Sequence, residues 1–208
     1  MLFSDGETEP AKADTAVPAD SGLPETPVPV DAGTQPGVLF VTSASFKGNL
    51  VGEGQDPYAR MNAQCTDLAK NALSPTVKGR SFVAYFVPAI NGLPEPAIPP
   101  SPTPWVLSDG KNYAFEGAIN AALTGHDNPP FLNLDENGHE IKETENVPLF
   151  IWVGKARSED DLTCDGWTSA SNSRHGLAIN KKANRYYDRL GETPNCAAQG
   201  HILCVSVP

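Results

Sequence analysis

The chain has 208 residues, with 15 basic against 25 acidic side chains and a formal net charge of −10 at pH 7. That length holds one domain and a tail more simply than two very small domains, and the acidic balance argues against binding nucleic acid or anionic lipid through bulk charge. No apolar run reaches the ~18 residues that a membrane span needs, and the opening MLFSDGETEP has neither the basic nor the apolar stretch of an export signal.

Residues 1–37 carry seven acids (Asp5, Glu7, Glu9, Asp14, Asp20, Glu25, Asp31) against one base, Lys12, among repeated Pro, Ala and Thr. Almost no large apolar residue follows Phe3 in this segment. It cannot bury enough apolar surface to offset roughly 1–2 kcal/mol of backbone entropy per residue, so it is expected to be a disordered acidic stalk. The stalk accounts for −6 of the charge. Residues 38–208, with 14 bases against 18 acids, are left only mildly acidic at −4.

VLFVTS (38–43) reads as the strand that opens the domain, and SASFKGNL as the turn after it. Asp56-Pro57 is a helix start, an N-cap followed by proline where the missing N–H costs nothing. Tyr58, Met61, Cys65, Leu68 and Ala72 then recur at helical spacing, which puts Cys65 on the buried face. Ser74-Pro75 ends that helix, and RSFVAYFV (80–87) reads as a second strand. Residues 88–104 hold too many prolines for a helix or a central strand and are expected to be a long surface excursion. NYAFEGAINAALT (112–124) suits a second helix that ends at Gly125. VPLFIWVG (147–154), apolar at nearly every position, predicts a central strand. From Lys155 to Asn195 regular patterning largely fails, as expected for a loop-rich face, and HILCVSV (201–207) is expected to close the sheet.

The four cysteines, Cys65, Cys164, Cys196 and Cys204, lack Cys-x-x-Cys spacing, so they read as disulfide staples rather than metal ligands or nucleophiles. Spacing alone leaves three pairings open. The order of VLFVTSASFKGNLVGEGQDPYARMNAQCTDLAKNAL, the WVG strand, the CDGWTS loop and the terminal ILCVSV strand resembles a family of bacterial secreted domains and lipoproteins. The resemblance covers about residues 38–208. It implies an α+β, C-type-lectin-like (endostatin-like) fold: small antiparallel sheets, two helices, a long irregular loop region and two disulfides. The implied pairs are Cys65–Cys204 and Cys164–Cys196.

Candidate chemistry is sparse. His139-Glu140-x-x-Glu143 lacks the second histidine of a zinc-protease helix and follows Asn137-Gly138, a turn signal. Glu159, Asp160, Asp161 and Asp165 lie where many C-type lectins hold calcium. The chain has neither the Glu-Pro-Asn or Gln-Pro-Asp triplet nor the Trp-Asn-Asp triplet of the sugar-binding members, however; it offers only Glu95-Pro96-Ala97, in an earlier segment. These acids read as a solvated loop, and no metal or other cofactor is expected. His126 and His175 read as loop residues and His201 as the border of the last strand. Trp152 and Trp167 read as core, Trp105 as nearer the surface. The one local excess of positive charge, Arg174, Lys181, Lys182 and Arg185 with Arg189, surrounds Tyr186-Tyr187 and is the candidate ligand-binding surface.

The expected function is therefore a non-catalytic recognition or adhesion module for an extracellular protein or glycan, with a structural role in a cell-surface assembly as the alternative. Paired cysteines fit an oxidising compartment, which implies export, with a signal peptide or a lipid-attached cysteine upstream and Met1 as a replacement start. Deleting residues 1–37 should leave the melting temperature of the domain nearly unchanged, because the segment has no apolar face to pack. Thermal melts of the full and truncated chains check this, and a drop of several degrees would mean that the segment packs on the domain.

Overall fold

The structure, a computed structural model, describes residues 35–51, 55–85, 104–115, 132–142, 149–153, 163–180, 185–186 and 193–207. The stalk at 1–37 lies outside them but for its last three residues, as do most of the 88–104 excursion and residues 116–124.

The α+β, C-type-lectin-like fold of small antiparallel sheets with two helices is not what the chain forms. It is mostly sheet: one curled, mixed sheet, a half-barrel, with a single helix α1 (Pro57–Asn71) longer than one turn among the described residues. The strands are β1 (Val38–Val41), β2 (Ser81–Tyr85), β3 (Trp105–Leu107), β4 (Tyr113–Phe115), β5 (Phe150–Trp152), β6 (Ala178–Asn180), β7 (Arg185–Tyr186) and β8 (His201–Val207). They lie in the order β4-β3-β1-β8-β5-β6-β7, with β2 also paired to β8.

Strand β8 does not close the sheet but sits inside it. On one edge Val205, Cys204 and Leu203 face Leu39, Phe40 and Val41 of β1 in antiparallel register. On the other edge the five residues of β2 run antiparallel from Val207 to Leu203. There β5 takes over, pairing in parallel with His201 and Ile202. A second parallel pair joins β1 to β3. The parallel pairings and the shared central strand make one mixed sheet where the resemblance implies several antiparallel ones.

Apolar residues cover both faces, which is why β1 and β8 read as unbroken hydrophobic runs rather than as alternating ones. One face gathers Phe40, Met61, Cys65, Phe82, Ala84, Trp152, Trp167, Ile202 and Cys204. The opposite face gathers Leu39, Val41, Tyr85, Trp105, Phe115, Ile151, Ile179, Leu203 and Val205, joining strands from both ends of the sheet as a curled sheet requires. Helix α1 packs on the first face. Its start is built as its residues imply: the Asp56 side chain accepts from the Tyr58 N–H at 2.9 Å, proline stands at the first position, and Met61, Cys65 and Ala69 turn inward. Asn62 on the same helix accepts the Ala84 N–H at 2.8 Å, tying α1 to β2.

Three further expectations are corrected. The helix over 112–124 starts instead with strand β4, because Asp109-Gly110 turns the chain back on β3. The Asp109 side chain accepts from the Lys111 and Asn112 N–H groups at 3.0 Å each, and Gly110 takes a φ of +69° that suits glycine. Trp105 is not near the surface. It is 2% exposed on β3, stacked against Phe115 with ring centroids 5.9 Å apart. The stretch 155–195 is not wholly irregular, since β6 and β7 pair within it.

Both implied disulfides are present. Cys65 in mid-helix joins Cys204 in mid-β8 with Cα atoms 5.7 Å apart, and Cys164 joins Cys196 at 5.6 Å. Closing separations of 139 and 32 residues removes chain entropy from the unfolded state that corresponds to roughly 5 and 4 kcal/mol.

Leu203, fully buried on the central strand, should cost about 2–5 kcal/mol when changed to alanine, since its neighbours on three strands cannot collapse into the hole. Leu73→Ala, at a side chain 77% exposed, should shift stability by less than about 0.5 kcal/mol. Urea unfolding of the two variants checks both.

Candidate functional site

The inner disulfide is the centre of a layer of loops stacked on the Trp152 side of the sheet. Trp152 is fully buried at the end of β5, and its indole N–H donates to the Phe46 carbonyl at 2.9 Å. Phe46 and Gly200 exchange backbone hydrogen bonds, so the segment after β1 is fastened to the segment before β8. Gly200 lies so close to the indole that a Cβ there would sit 2.4 Å from Trp152 Nε1. A Cβ on Gly48 would sit 2.3 Å from Cys164 Sγ, and one on Gly176 2.8 Å from the same sulfur. Backbone alone fits at these places. The Gly48 N–H donates to the Cys196 carbonyl at 2.8 Å, the Cys196 N–H to the Arg174 carbonyl at 2.9 Å, and the Gly176 N–H to the Pro194 carbonyl at 3.1 Å. Three loops are thereby held on one bridge and one indole.

Over the bridge runs a one-turn helix, Cys164–Trp167, of left-handed sense. Its φ angles are +52° at Cys164, +60° at Asp165, +66° at Gly166 and +65° at Trp167. Left-handed helix brings Cβ against the following carbonyl and costs roughly 1–2 kcal/mol for each residue other than glycine. The turn is held from several sides. The Trp167 N–H donates to the Thr163 carbonyl at 2.7 Å, the Cys164 N–H to the His175 carbonyl at 3.2 Å, and the Val51 N–H to the Trp167 carbonyl at 3.2 Å. The Trp167 ring, fully buried, meets Trp152 edge-on at 6.1 Å. Trp152 and Trp167 are thus core residues, and Trp167 lies beside Cys164 as its sequence position implies.

The outside of this layer is polar. Asp165, Thr168, Ser171, Asn172, Ser173 and Arg174 are exposed. Arg174 lies 4.0 Å from Asp165, each side chain more than half exposed. Of the other residues in the predicted basic surface, Arg185 and Tyr186 form β7, opposite Asn180 and Ile179 at the end of the sheet. Lys181, Lys182, Tyr187 and Arg189 lie outside the described residues, as do Glu143, Glu159, Asp160, Asp161 and His126. The structure therefore places Arg174 with the inner bridge and Arg185 and Tyr186 on the sheet. His139 and Glu140 belong to a turn through Asn137-Gly138, in which Leu134 and Glu140 bridge, rather than to a helix. Among the described residues no three His, Cys, Asp or Glu side chains converge as a metal site would need.

Two polar anchors escaped the sequence reading. Glu136, only 5% exposed, accepts the Ser43 hydroxyl at 2.6 Å and the Ser43 N–H at 3.1 Å, locking the end of β1 to the Asn137-Gly138 turn. His201 borders β8 as expected, and its Nδ1 lies 2.6 Å from the Thr42 carbonyl oxygen. A carbonyl only accepts, so Nδ1 carries the proton. Burial pushes the His201 pKa down, against the Thr42 and Ala44 carbonyls that favour the charged ring, and burial prevails. Compared with known proteins, the chain matches no family model and no curated sequence.

The lowered His201 pKa sets a sign for pH dependence. The unfolded ring takes a proton near pH 6.5 and the folded one only at lower pH, so the neutral ring's contribution to stability is complete above about 6.5. It is lost as pH falls from there through the folded value. Melting temperature should therefore decline below about pH 6.5 more steeply in the wild type than in His201→Gln, and parallel curves for the two would refute this.

Proposed function

We propose that the domain is an exported, non-catalytic recognition module whose loop layer over the inner disulfide, with the adjoining basic segment, meets an extracellular protein or glycan. The observation that carries this reading is the pairing of all four cysteines in buried bridges, with no free cysteine. Disulfides persist in oxidising surroundings outside the cytosol. An acidic, proline-rich stalk ahead of the domain suits display at a distance from a surface, in keeping with the secreted and lipoprotein family that the sequence resembles.

Recognition is favoured by how the layer is built. Loops held on a rigid hub present side chains at little entropic cost on binding. Here the hub is two indoles and a disulfide, and the outward residues are polar and exposed. Lys181 and Lys182 follow β6 directly in the chain and Arg185-Tyr186 forms β7, so the sequence gathers positive and aromatic character beside one end of the sheet. An acidic protein face or a sulfated glycan is the matching partner chemistry.

A glycan and matrix-protein binding screen of the folded domain, with and without calcium, should yield a saturable partner whose binding survives chelation. Lys181→Ala, Lys182→Ala and Arg185→Ala together should slow its association about tenfold and flatten the salt dependence, with the melting temperature kept, because exposed charges chiefly steer encounter. Unchanged kinetics in the triple variant would move the site off this segment, and the absence of any saturable partner would overturn the reading.

A further inference from the structure

The two bridges are both fully buried, yet they are buried by different things. Around Cys65–Cys204 stand regular elements: Cys65 is in the middle of α1, and Cys204 is paired on both edges, with Phe40 of β1 and Ala84 of β2. To reach that sulfur pair, a reagent must part three strands and a helix. Around Cys164–Cys196 stand loops, joined by isolated bridges, Thr163 with Gly176 and His175 with Asn195, rather than by a continuous ladder. Cys164 Sγ is approached by two glycine backbones, Gly48 and Gly176, both on segments outside the named strands. The bridge also fastens the left-handed turn, in which Cys164, Asp165 and Trp167 hold φ angles that side chains rarely adopt. Opening this bridge removes the covalent hold on that turn, whereas neither cysteine of the outer bridge has a positive φ.

We propose that Cys164–Cys196 is a reducible latch: cleaving it releases the left-handed turn and Trp167 while the sheet, α1 and Cys65–Cys204 stay in place. The chemistry is thiol–disulfide exchange with a dithiol reductant. A thiolate of the reductant attacks one sulfur of the pair and the other leaves as a thiolate. The reductant's second thiol then displaces the first cysteine, closing a cyclic disulfide. Two electrons pass to the pair, the reductant's two thiol protons end on Cys164 and Cys196, and the S–S bond is broken. The surface over the bridge, with Asp165, Thr168 and Arg174, thus has an oxidised, fixed state and a reduced, released one. The latch does not depend on what that surface binds.

The test is reduction of the whole protein by graded dithiothreitol without denaturant, with trapping by mass-labelled iodoacetamide and peptide mapping. Cys164 and Cys196 should be labelled roughly tenfold or more ahead of Cys65 and Cys204, as expected when one pair opens locally and the other only globally. Tryptophan emission should move to longer wavelength in step with that first labelling, while far-ultraviolet circular dichroism is retained. Simultaneous labelling of all four cysteines, earlier labelling of Cys65 and Cys204, or labelling only in denaturant would overturn the proposal. The variant Cys164→Ser with Cys196→Ser should fold, keep the outer bridge and show the reduced protein's emission; its failure to fold would overturn the proposal too, since the latch requires the domain to survive without this bridge.

Discussion

Backbone hydrogen bonding along both edges of His201–Val207 is the constraint from which the rest of this domain follows. Strand β1 occupies one edge, and β2 and then β5 divide the other between them. Because β2 runs antiparallel to β8 and β5 parallel, the two need not be joined by a tight turn, and between them in the chain come β3 and β4, which extend the sheet beyond β1. The side chains of β8 fix the layers in turn. Ile202 and Cys204 look toward α1 and the indoles, and Leu203 and Val205 look into the curl. The outer disulfide adds a covalent tie at the one residue of β8 where helix, β1 and β2 all meet.

The inner layer obeys a different rule. Its loops have isolated bridges in place of a ladder, and they keep their places largely through close approach: an indole and a sulfur pair leave room for glycine backbone and nothing larger. Such packing is dense and specific, and it tolerates little variation in the residues at its contact points. It leaves the outward side chains only local structural duties, such as the Thr168 hydroxyl donating to the Asp165 carbonyl and the Ser171 hydroxyl oxygen accepting the Ser173 N–H. Asp165 and Arg174 bond across the turn from exposed positions, where such a pair adds little to stability. Position there is governed by the hub beneath, and the surface chemistry can be chosen for other ends.

What the sequence made legible, and what it hid, follows the same division. Strands β1, β2, β5 and β8 and helix α1 were readable because each has a local pattern: unbroken apolar runs, or apolar residues at helical spacing behind Asp56-Pro57. The β3–β4 hairpin was hidden by the length of its strands, three residues each, too short for alternation to show. Asp109-Gly110, between Trp105 and Tyr113, is its one signal, and Phe115, Ala118 and Ile119 stand at a spacing that suits a helix. The disulfide pairing came through correctly although the fold implied with it did not, since the pairing needs only that α1 pack against β8 and that CDGW lie near Asn195. The left-handed turn had no local signature beyond Gly166; nothing in Cys164 or Trp167 encodes such a backbone, and tertiary contacts impose it. For the candidate surface, residue type was readable from charge and aromatic content. Placement was not, because Arg174 belongs to the bridge layer and Arg185 to the sheet.

Among the described residues, the central strand is the last of the eight in chain order. When the polypeptide emerges from a ribosome or a secretion channel, β1, β2 and β5 therefore appear first, and none can complete its pairing until β8 arrives. Until then three apolar strands present open edges, a state prone to association with other chains. The thiols meet a related hazard. Cys65 and Cys164 both come out before either of their true partners, so the first crosslink available to them is a wrong one. A chain arranged this way is therefore most exposed to wrong pairing, of strands and of sulfurs alike, before its last strand, seven residues long, is made.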